Sequence, residues 1–367
     1  MKRLMIILGT RPEAIKLMPV ILEARRRADQ FETVVVSTAQ HREMLDGVYE
    51  DFEVQPDIDL NLMQPKQTPI EFLSSALLRL QETLAEYPTD CVLVQGDTMT
   101  TLAGAMAGSY LRCKVAHVEA GLRSFHREHP WPEEDNRRLV SRVTDFHFAP
   151  TKSAEGNLIA EGVDARHCWV TGNTGIDALH IMRKRQVLGK FEGSKLPSPS
   201  ILLTCHRREN FGKPMESICN GILKLLVQFE DLHVLCPVHR NPAVRSVLEN
   251  KLNGHPRVRL VDPMGYAQFI HAMADCDLIL TDSGGVQEEA PSLGRPVLVL
   301  RNTTERPEAA AAGVAKIVGT QADLIASEAG HLLSDPVAYA AMARVENPFG
   351  DGHATARILD VLQEKAL

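Results

Sequence analysis

The sequence lacks several features that would assign it to a common class of protein. No apolar run approaches the roughly 20 residues that span a bilayer, and the M-K-R start passes at once into a short apolar run unlike a signal peptide. Basic residues are not in excess, because 40 Lys and Arg face 47 Asp and Glu for a formal net charge of -7. We therefore expect a cytoplasmic protein that binds neither membrane nor nucleic acid and acts on a small molecule.

Motifs for disulfides, metals and redox cofactors are also missing. The seven cysteines form no C-x-x-C pair and lie mostly in apolar runs, which predicts buried, reduced thiols. No G-x-G-x-x-G opens a β-α unit and no G-x-x-x-x-G-K-[ST] is present, so dinucleotide and P-loop sites lose support. His126 and His129 lie near acids but without H-E-x-x-H spacing. We expect no metal and no cofactor.

What the sequence does contain is an alternation of short apolar runs with longer helical patterns, which is typical of α/β proteins with parallel sheets. A chain of 367 residues exceeds one usual core, so we assign residues 1–170 to a first domain and 171–353 to a second. The polar stretch 183–200 favours a boundary between about 171 and 200. Strand candidates are 3–8, 33–37, 91–95, 114–118, 146–149, 168–170, 201–204, 233–236, 257–261, 278–281, 296–300 and a segment near Lys316.

Polar residues at the predicted strand ends carry the functional information, because ligands of open parallel sheets bind beyond the carboxyl ends of strands. The first strand runs into the turn 9–12 (G-T-R-P), where Arg11 either binds phosphate or merely caps the turn. Lys16 lies about one helical turn further. After the strand 91–95, Asp97 is equally a helix cap or a catalytic carboxylate.

Two more groups of acids follow in the first half. Glu119 and Arg123 come directly after a strand candidate, as a charged pair that is often only structural. The loop 124–136 is dense in ionisable groups and stiffened by two prolines, which suits a segment that carries a carboxylate into a site. Glu133 and Glu134 are the candidates there.

The second half offers cations. Two of its strand candidates end in a histidine beside an arginine, His206 with Arg207 and His239 with Arg240. One lone histidine is more often structural, yet two such clusters facing one cleft would suit a diphosphate.

The strongest local signal is the segment 278–289, in which a strand, a glycine-rich elbow and a helix follow one another. The hydroxyl of Ser283 and the backbone N–H groups of Gly284 and Gly285 predict a phosphate cradle at the helix start. Glu289 lies further along the helix, and we assign it to ribose hydroxyls.

With these segments assembled, the chain resembles the bacterial non-hydrolysing UDP-N-acetylglucosamine 2-epimerases over essentially its whole length. Eleven motifs occur in the family's order, which makes the resemblance highly specific. They are G-T-R-P-E-A-I-K at 9–16, T-A-Q-H-R-E-M-L-D at 38–46, G-D-T at 96–98, H-V-E-A-G-L-R at 117–123, W-P-E-E at 131–134, T-G-N-T at 171–174, H-R-R-E-N at 206–210, P-V-H at 237–239, D-S-G-G-V-Q-E-E-A-P-S-L-G at 282–294, T-T-E-R-P-E at 303–308 and N-P-F-G-D-G at 347–352.

The resemblance implies two Rossmann-like domains with parallel sheets facing a cleft, the GT-B arrangement, with the C-terminal helix 354–367 packing back on the first domain. It also implies a homodimer. The positions that match the family's catalytic residues are Asp97, Glu119, Glu133 and His206. Those that match its UDP contacts are Arg11, Lys16, Phe269, Ser283, Gly284, Gly285, Glu289 and Arg306, and we add His239 for the diphosphate. A second UDP-N-acetylglucosamine, bound as an activator, would contact Gln40, His41, Glu133, Arg207 and His239.

The reaction implied is inversion at C2 of UDP-N-acetylglucosamine, which gives UDP-N-acetylmannosamine. The C2 hydrogen sits on an unactivated carbon, and the missing dinucleotide fingerprint disfavours transient oxidation. We therefore predict elimination of UDP to 2-acetamidoglucal and re-addition, with Asp97, Glu119 and Glu133 transferring the proton and His206 serving the diphosphate. Three alternatives stay open: a GT-B glycosyltransferase, a non-catalytic sugar-nucleotide sensor, and a related epimerase that acts on a diacetamido uronic acid.

Overall fold

The structure, a computed structural model, describes residues 1–40, 42–127, 131–185, 196–304 and 306–365. The chain divides into two compact units, Met1–Ile181 with Phe349–Leu367, and Met182–Pro348. Each unit is a parallel α/β sheet with helices, which confirms the predicted fold class.

The first unit contains a seven-stranded parallel sheet within the described ranges. Its strands are β1 (Lys2–Leu8), β2 (Phe31–Ser37), β3 (Ile58–Asp59), β4 (Cys91–Gln95), β5 (Lys114–Val118), β6 (Phe146–Ala149) and β7 (Cys168–Val170). The helices are α1 (Arg11–Arg26), α2 (Arg42–Phe52), α3 (Pro69–Glu86), α4 (Met99–Tyr110), α5 (Glu133–Val143), α6 (Lys152–Ala160) and α7 (Thr174–Lys184). The strand order is β3-β2-β1-β4-β5-β6-β7.

Burial on both faces explains why the strands read as continuous apolar runs. Leu4 to Leu8 of β1 are all 0–1% exposed, as expected for a central strand of a parallel sheet. On one face α4 packs closely, because a Cβ at Gly104 would lie 2.7 Å from Val94 and one at Gly108 would lie 3.0 Å from Val92. The small residues of α4 thus bring its backbone against β4.

The second unit contains a six-stranded parallel sheet. Its strands are β8 (Ser200–Thr204), β9 (His233–Pro237), β10 (Val258–Val261), β11 (Leu278–Thr281), β12 (Val297–Val299) and β13 (Ala315–Ile317), in the order β10-β9-β8-β11-β12-β13. The helices are α8 (Lys213–Gln228), α9 (Pro242–Leu252), α10 (Tyr266–Asp275), α11 (Gly284–Glu289), α12 (Pro307–Ala311), α13 (Ala322–Ser334) and α14 (Pro336–Ala343). Single turns of 3-10 helix occur at Ala165–His167, Arg208–Asn210 and Ala290–Leu293.

The last helix, α15 (Ala354–Glu364), belongs to the first unit and contacts α1. The buried carboxylate of Asp177 accepts the backbone N–H groups of Ala354 and Thr355 at 3.3 and 2.9 Å, so it satisfies the start of the helix. The first unit therefore includes α7 as far as Ile181, beyond residue 170, because the partner of the C-terminal helix lies on α7.

Two general expectations can be compared with the structure. All seven cysteines are free thiols, and six of them are buried, while Cys113 is partly exposed. In the portion of the chain that the structure describes, the helices are either too short or too polar to cross a membrane.

A buried histidine connects two strand ends of the first unit. His117 in β5 is 1% exposed, and its Nε2 lies 2.7 Å from the carbonyl oxygen of Gly96, in the turn after β4. Since a carbonyl only accepts, Nε2 carries the proton. Burial, opposed in part by this hydrogen bond, lowers the pKa of His117 to about 4.

We expect this histidine to make the first unit acid-sensitive. The unfolded imidazole takes up a proton near its usual pKa of 6.5, whereas the folded one does so only near 4, so stability is lost as the pH falls through that window. The loss amounts to about 3 kcal/mol. His117→Gln keeps a donor for Gly96 but does not titrate, so its free energy of unfolding should fall less between pH 7 and pH 4. Urea denaturation read by Trp131 and Trp169, both in the first unit, measures this, and equal acid sensitivity would contradict it.

Gly121, just after β5, provides a second prediction. Its φ is +86°, and a Cβ there would lie 2.1 Å from the carbonyl oxygen of Ala154 in α6. Gly162 has nearly the same φ, +88°, with nothing within 4 Å of a Cβ. Gly162→Ala should therefore cost about 1–2 kcal/mol from backbone strain alone. Gly121→Ala should cost about 1–3 kcal/mol more, since the backbone of α6 must also shift. Equal losses in the same denaturation assay would show that the close approach to α6 is unimportant.

Candidate active site

In each sheet the strand order reverses beside the first strand of the unit. β1 has β2 on one side and β4 on the other, and β8 likewise lies between β9 and β11. Connections from such a pair of strands diverge, so a crevice opens at their carboxyl ends and ligands of this fold bind there. Arg11 and Asp97 follow β1 and β4, and His206 and Ser283 follow β8 and β11. These four predicted site residues thus mark the reversal point of each sheet.

A buried carboxylate joins the two loops at the reversal point of the first unit. Glu13 is 1% exposed and accepts two backbone N–H groups of the β1–α1 turn at 3.0 and 2.7 Å. It also accepts the hydroxyls of Thr98 and Thr101 at 2.5 and 3.0 Å. Burial raises the pKa of Glu13, and the hydroxyl donors oppose that rise. The loops that carry Arg11 and Asp97 are therefore tied to each other.

Glu119 is held at both of its carboxylate oxygens. Lys16 donates to Oε1 at 2.6 Å, and the side-chain amide of Gln95 donates to Oε2. The backbone of Glu119 has φ +67°, a left-handed conformation that costs a non-glycine residue energy and that often occurs at functional sites. The expected pair of Glu119 with Arg123 is wrong, because Arg123 instead binds Glu161 at 2.8 Å.

Asp97 is not the cap of α4. That position belongs to Thr98, whose hydroxyl accepts the backbone N–H of Thr101. The carboxylate of Asp97 pairs instead with Arg137 of α5, and Asn136 donates to its carbonyl oxygen at 2.9 Å. Of the two readings that the sequence left open for Asp97, the structure removes the capping one.

The two acids at the start of α5 differ in their surroundings. Glu134 is fully buried, pairs with Arg138 and accepts the backbone N–H of Ser124 at 2.9 Å, so it braces the preceding loop. Glu133 is only partly buried. Glu133, and not Glu134, is therefore the acid of this pair that remains a site candidate.

A pocket of about 250 Å³ lies in the first unit and brings together Gln40, Asp97 and Glu133. Neither Glu119 nor Lys16 is among the described residues that line it. Its wall also has an apolar part, contributed by Met63, Pro69 and Phe72 around α3. The full lining is Thr10, Gln40, Met63, Gln67, Thr68, Pro69, Phe72, Asp97, Thr98, Met99, Pro132, Glu133 and Asn136.

In the second unit, the predicted histidines lie against each other. The rings of His206 and His239 stack with centroids 5.5 Å apart and an interplanar angle of 16°. Asp282, fully buried at the end of β11, contacts Nδ1 of His206 at 3.2 Å. Burial, and then the neighbouring His206, lower the pKa of His239. Burial alone would raise the pKa of Asp282, but its bonds to His206 and to backbone N–H groups leave it below the usual value.

The glycine-rich elbow is surrounded by guanidinium groups. Ser283 precedes α11, and a Cβ at Gly284 would lie 3.8 Å from Arg207 and 3.9 Å from Arg306. Arg306 is oriented by an ion pair with the buried Glu288. An anion above this elbow would thus meet backbone N–H groups and fixed positive charge.

The remaining nucleotide candidates lie on α10 and α11. Tyr266 of α10 donates its hydroxyl to Glu289 at 3.0 Å, which fixes that carboxylate at the end of α11. Phe269 follows on α10 and is partly exposed. Arg11 is the first residue of α1 and partly buried. His41 lies outside the described residues.

Sequence reasoning did not identify the partners that orient the candidates. Glu13, Gln95, Arg137, Asp282 and Glu288 were not singled out for these roles. For Asp282 a signal existed, since it is the residue between a buried strand and the S-G-G elbow. The others act over separations of up to 88 residues, which no local pattern encodes.

Known proteins of similar sequence and structure point to one family. The family profile described as UDP-N-acetylglucosamine 2-epimerase matches residues 23–363. The UDP-N-acetylglucosamine 2-epimerase of Bacillus subtilis is 47% identical over 364 residues, covering 98% of this chain and 94% of that protein. The Escherichia coli enzyme of the same name is 45% identical over 375 residues, with coverages of 100% and 99%.

Among solved structures, the UDP-N-acetylglucosamine 2-epimerase of Neisseria meningitidis bound to UDP-N-acetylglucosamine superposes with a TM-score of 0.89. The two sequences are 42% identical, and the match covers 99% of this chain and 100% of that one. A family profile over most of the chain, close relatives over the whole of it and the same fold all agree. The chain belongs to the UDP-N-acetylglucosamine 2-epimerase family, whose members are isomerases.

Proposed function

We propose that the protein interconverts UDP-N-acetylglucosamine and UDP-N-acetylmannosamine without hydrolysis, by eliminating UDP and adding it back. The observation that carries the proposal is that the first unit offers acids, and the second unit offers cations, near the point where each sheet reverses its strand order. In the first unit Asp97 follows β4 at the reversal point, Glu119 follows the neighbouring strand β5, and Glu133 lines the pocket together with Asp97. The second unit presents histidines, arginines and a glycine-rich elbow. Acids suit proton transfer at carbon, and cations suit a departing diphosphate.

Elimination solves the problem that the C2 hydrogen is not acidic. The bond between C1 and the diphosphate oxygen breaks, and its electron pair leaves with UDP. Positive charge at C1 acidifies C2, a carboxylate takes the C2 proton, and a C1–C2 double bond forms in 2-acetamidoglucal. In the second half, a proton returns to C2 on the opposite face and UDP attacks C1. The sum is an inversion at C2 with no net change in oxidation state.

The residue roles follow from the side-chain chemistry. Asp97, Glu119 and Glu133 transfer the proton at the sugar. His206 and His239, the amides of residues 283–285 and the guanidinium groups of Arg11 and Arg306 stabilise the departing UDP. Lys16 and Phe269 complete the UDP contacts, and Glu289, oriented by Tyr266, binds ribose hydroxyls.

The family resemblance further supports a homodimer in the cytoplasm and a second UDP-N-acetylglucosamine that activates the enzyme. We place the activator at Gln40, His41, Glu133, Arg207 and His239. Gln40 and Glu133 line the same pocket of about 250 Å³, which supports a ligand there.

Incubation in D2O with UDP-N-acetylglucosamine alone separates the proposal from its rivals. The proposed reaction incorporates deuterium at C2 and moves an 18O label from the C1–O bridge to a non-bridging position of the diphosphate. A glycosyltransferase without acceptor and a sugar-nucleotide sensor do neither. An epimerase selective for the diacetamido uronic acid would exchange deuterium only into that sugar. Accumulation of the manno product without C2 exchange would refute the elimination.

We expect Asp97→Asn to lower kcat by about 10²–10⁴-fold while UDP binding changes little, because only the proton transfer is affected. The matched control is Asp145→Asn. Asp145 is also a carboxylate paired with a cation, Lys114 at 2.8 Å, but it lies at the amino end of β6. The control should retain kcat. Turnover of Asp97→Asn close to that of the control would remove Asp97 from the mechanism.

A further inference from the structure

The carboxylate of Asp282 has two oxygens with different tasks. Oδ2 accepts the backbone N–H groups of His206 and Arg207, each at 2.8 Å, and the side-chain amide of Asn210 at 2.9 Å. These three bonds brace the turn after β8. Oδ1 lies 3.2 Å from Nδ1 of His206, within ion-pair distance, and has no hydrogen-bond partner among the described residues.

Burial makes the contact at Oδ1 important. Asp282 is fully buried, and a buried carboxylate oxygen without a donor is costly. The imidazole is the group that faces Oδ1, so a proton on Nδ1 is favoured over one on Nε2. The side chain of His206 is 38% exposed, which leaves the ring accessible to a ligand while its Nδ1 edge is held inside.

The cationic groups around His206 give the carboxylate of Asp282 a second role, which is to balance positive charge on the ring. His206 stacks on His239, and Arg207 and Arg306 approach the neighbouring elbow at Gly284. Each of these cations, or potential cations, opposes a positive charge on His206. Asp282 is the buried negative charge in contact with the ring, so it balances an imidazolium there.

We propose that Asp282 is a positioning residue for the reaction, which holds one proton on Nδ1 of His206 so that the second proton of the imidazolium, on Nε2, is donated to the diphosphate of UDP. This inference rests on the proposed function, in which His206 assists the departure and return of UDP. The same logic orients the histidine in hydrolytic triads, where a buried carboxylate fixes the tautomer of the ring.

Asp282→Asn tests the inference with little change of shape. The Asn oxygen replaces Oδ2 and keeps the three bracing bonds, and its NH2 group replaces Oδ1 and faces Nδ1 of His206. An NH2 group donates, so the proton of a neutral His206 should move to Nε2. We expect kcat to fall by about 10²–10⁴-fold, with the Kd for UDP within about threefold of the original. The 15N spectrum of His206 at mildly alkaline pH, assigned with His206→Gln, reports the tautomer directly.

Two further variants distinguish positioning from bracing. Asp277→Asn changes a carboxylate just before the same strand, β11, where it accepts the backbone N–H of Ser200 at 2.8 Å. It should leave both the His206 spectrum and kcat unchanged. Asn210→Ala removes one bracing bond from Oδ2 without touching Oδ1, and it too should keep the Nδ1 tautomer and most of kcat.

The outcomes are decisive for each claim separately. A His206 tautomer that is the same in Asp282→Asn and the original protein overturns the inference. So does a changed tautomer with undiminished kcat, and so does a loss of kcat in Asn210→Ala as large as in Asp282→Asn. If the original protein shows no deuterium exchange at C2, the proposed function fails, whereas the 15N spectrum still decides whether Asp282 sets the tautomer of His206.

Discussion

The structure depends on one recurring constraint, which is that two loops diverge where a parallel sheet reverses its strand order and must nevertheless be held at a fixed spacing. Both units meet this constraint with a buried carboxylate. Glu13 binds the turn after β1 to the hydroxyls at the start of α4, and Asp282, after β11, binds the turn after β8. Glu13 accepts backbone N–H groups of its own turn and hydroxyl groups of the other loop. Asp282 follows one strand in sequence and accepts the backbone N–H groups of the other loop, so in each unit a single acid connects the two loops. Arg11, Asp97, His206 and Ser283, four of the predicted site residues, stand on or directly after these loops.

The two buried acids differ in their partners, and this decides what each can do. The donors to Glu13 are neutral hydroxyls and amides, which do not fully offset burial, so its pKa is raised. Asp282 has the imidazole of His206 in addition to its amide donors, and its pKa is lowered. A carboxylate that remains ionised can stabilise a neighbouring imidazolium, whereas one that resists ionisation is suited to structure. Glu13 is therefore a brace, and Asp282 can also act electrostatically on its neighbour.

The sequence predicted those parts of the fold that local patterns encode. Buried strands such as β4, β5 and β11 are recognisable because most of their residues are apolar and a turn signal follows. The two-residue β3 was missed, since so short a strand has no periodicity. The acids and cations were found because they directly follow strands. Their pairings were not, because Lys16 reaches Glu119 and Arg137 reaches Asp97 only after the sheet has formed. For the same reason the sequence did not reveal that Arg123 fails to pair with Glu119, since that too is decided by the tertiary structure.

These partners also bear on how the proposed proton transfer is shared among the carboxylates. Both oxygens of Glu119 already accept a hydrogen bond, from Lys16 and from Gln95, so fewer of its lone pairs are open to a substrate. The bond described for Asp97 involves Oδ2 and Arg137, which leaves Oδ1 to approach a substrate without breaking the pair. Asp97 also lines the pocket together with Glu133, whereas Glu119 does not. In the proposed reaction, the geometry thus favours Asp97 as the first acceptor of the C2 proton, with Glu119 taking part in the proton transfer from the shell that Lys16 and Gln95 hold around it.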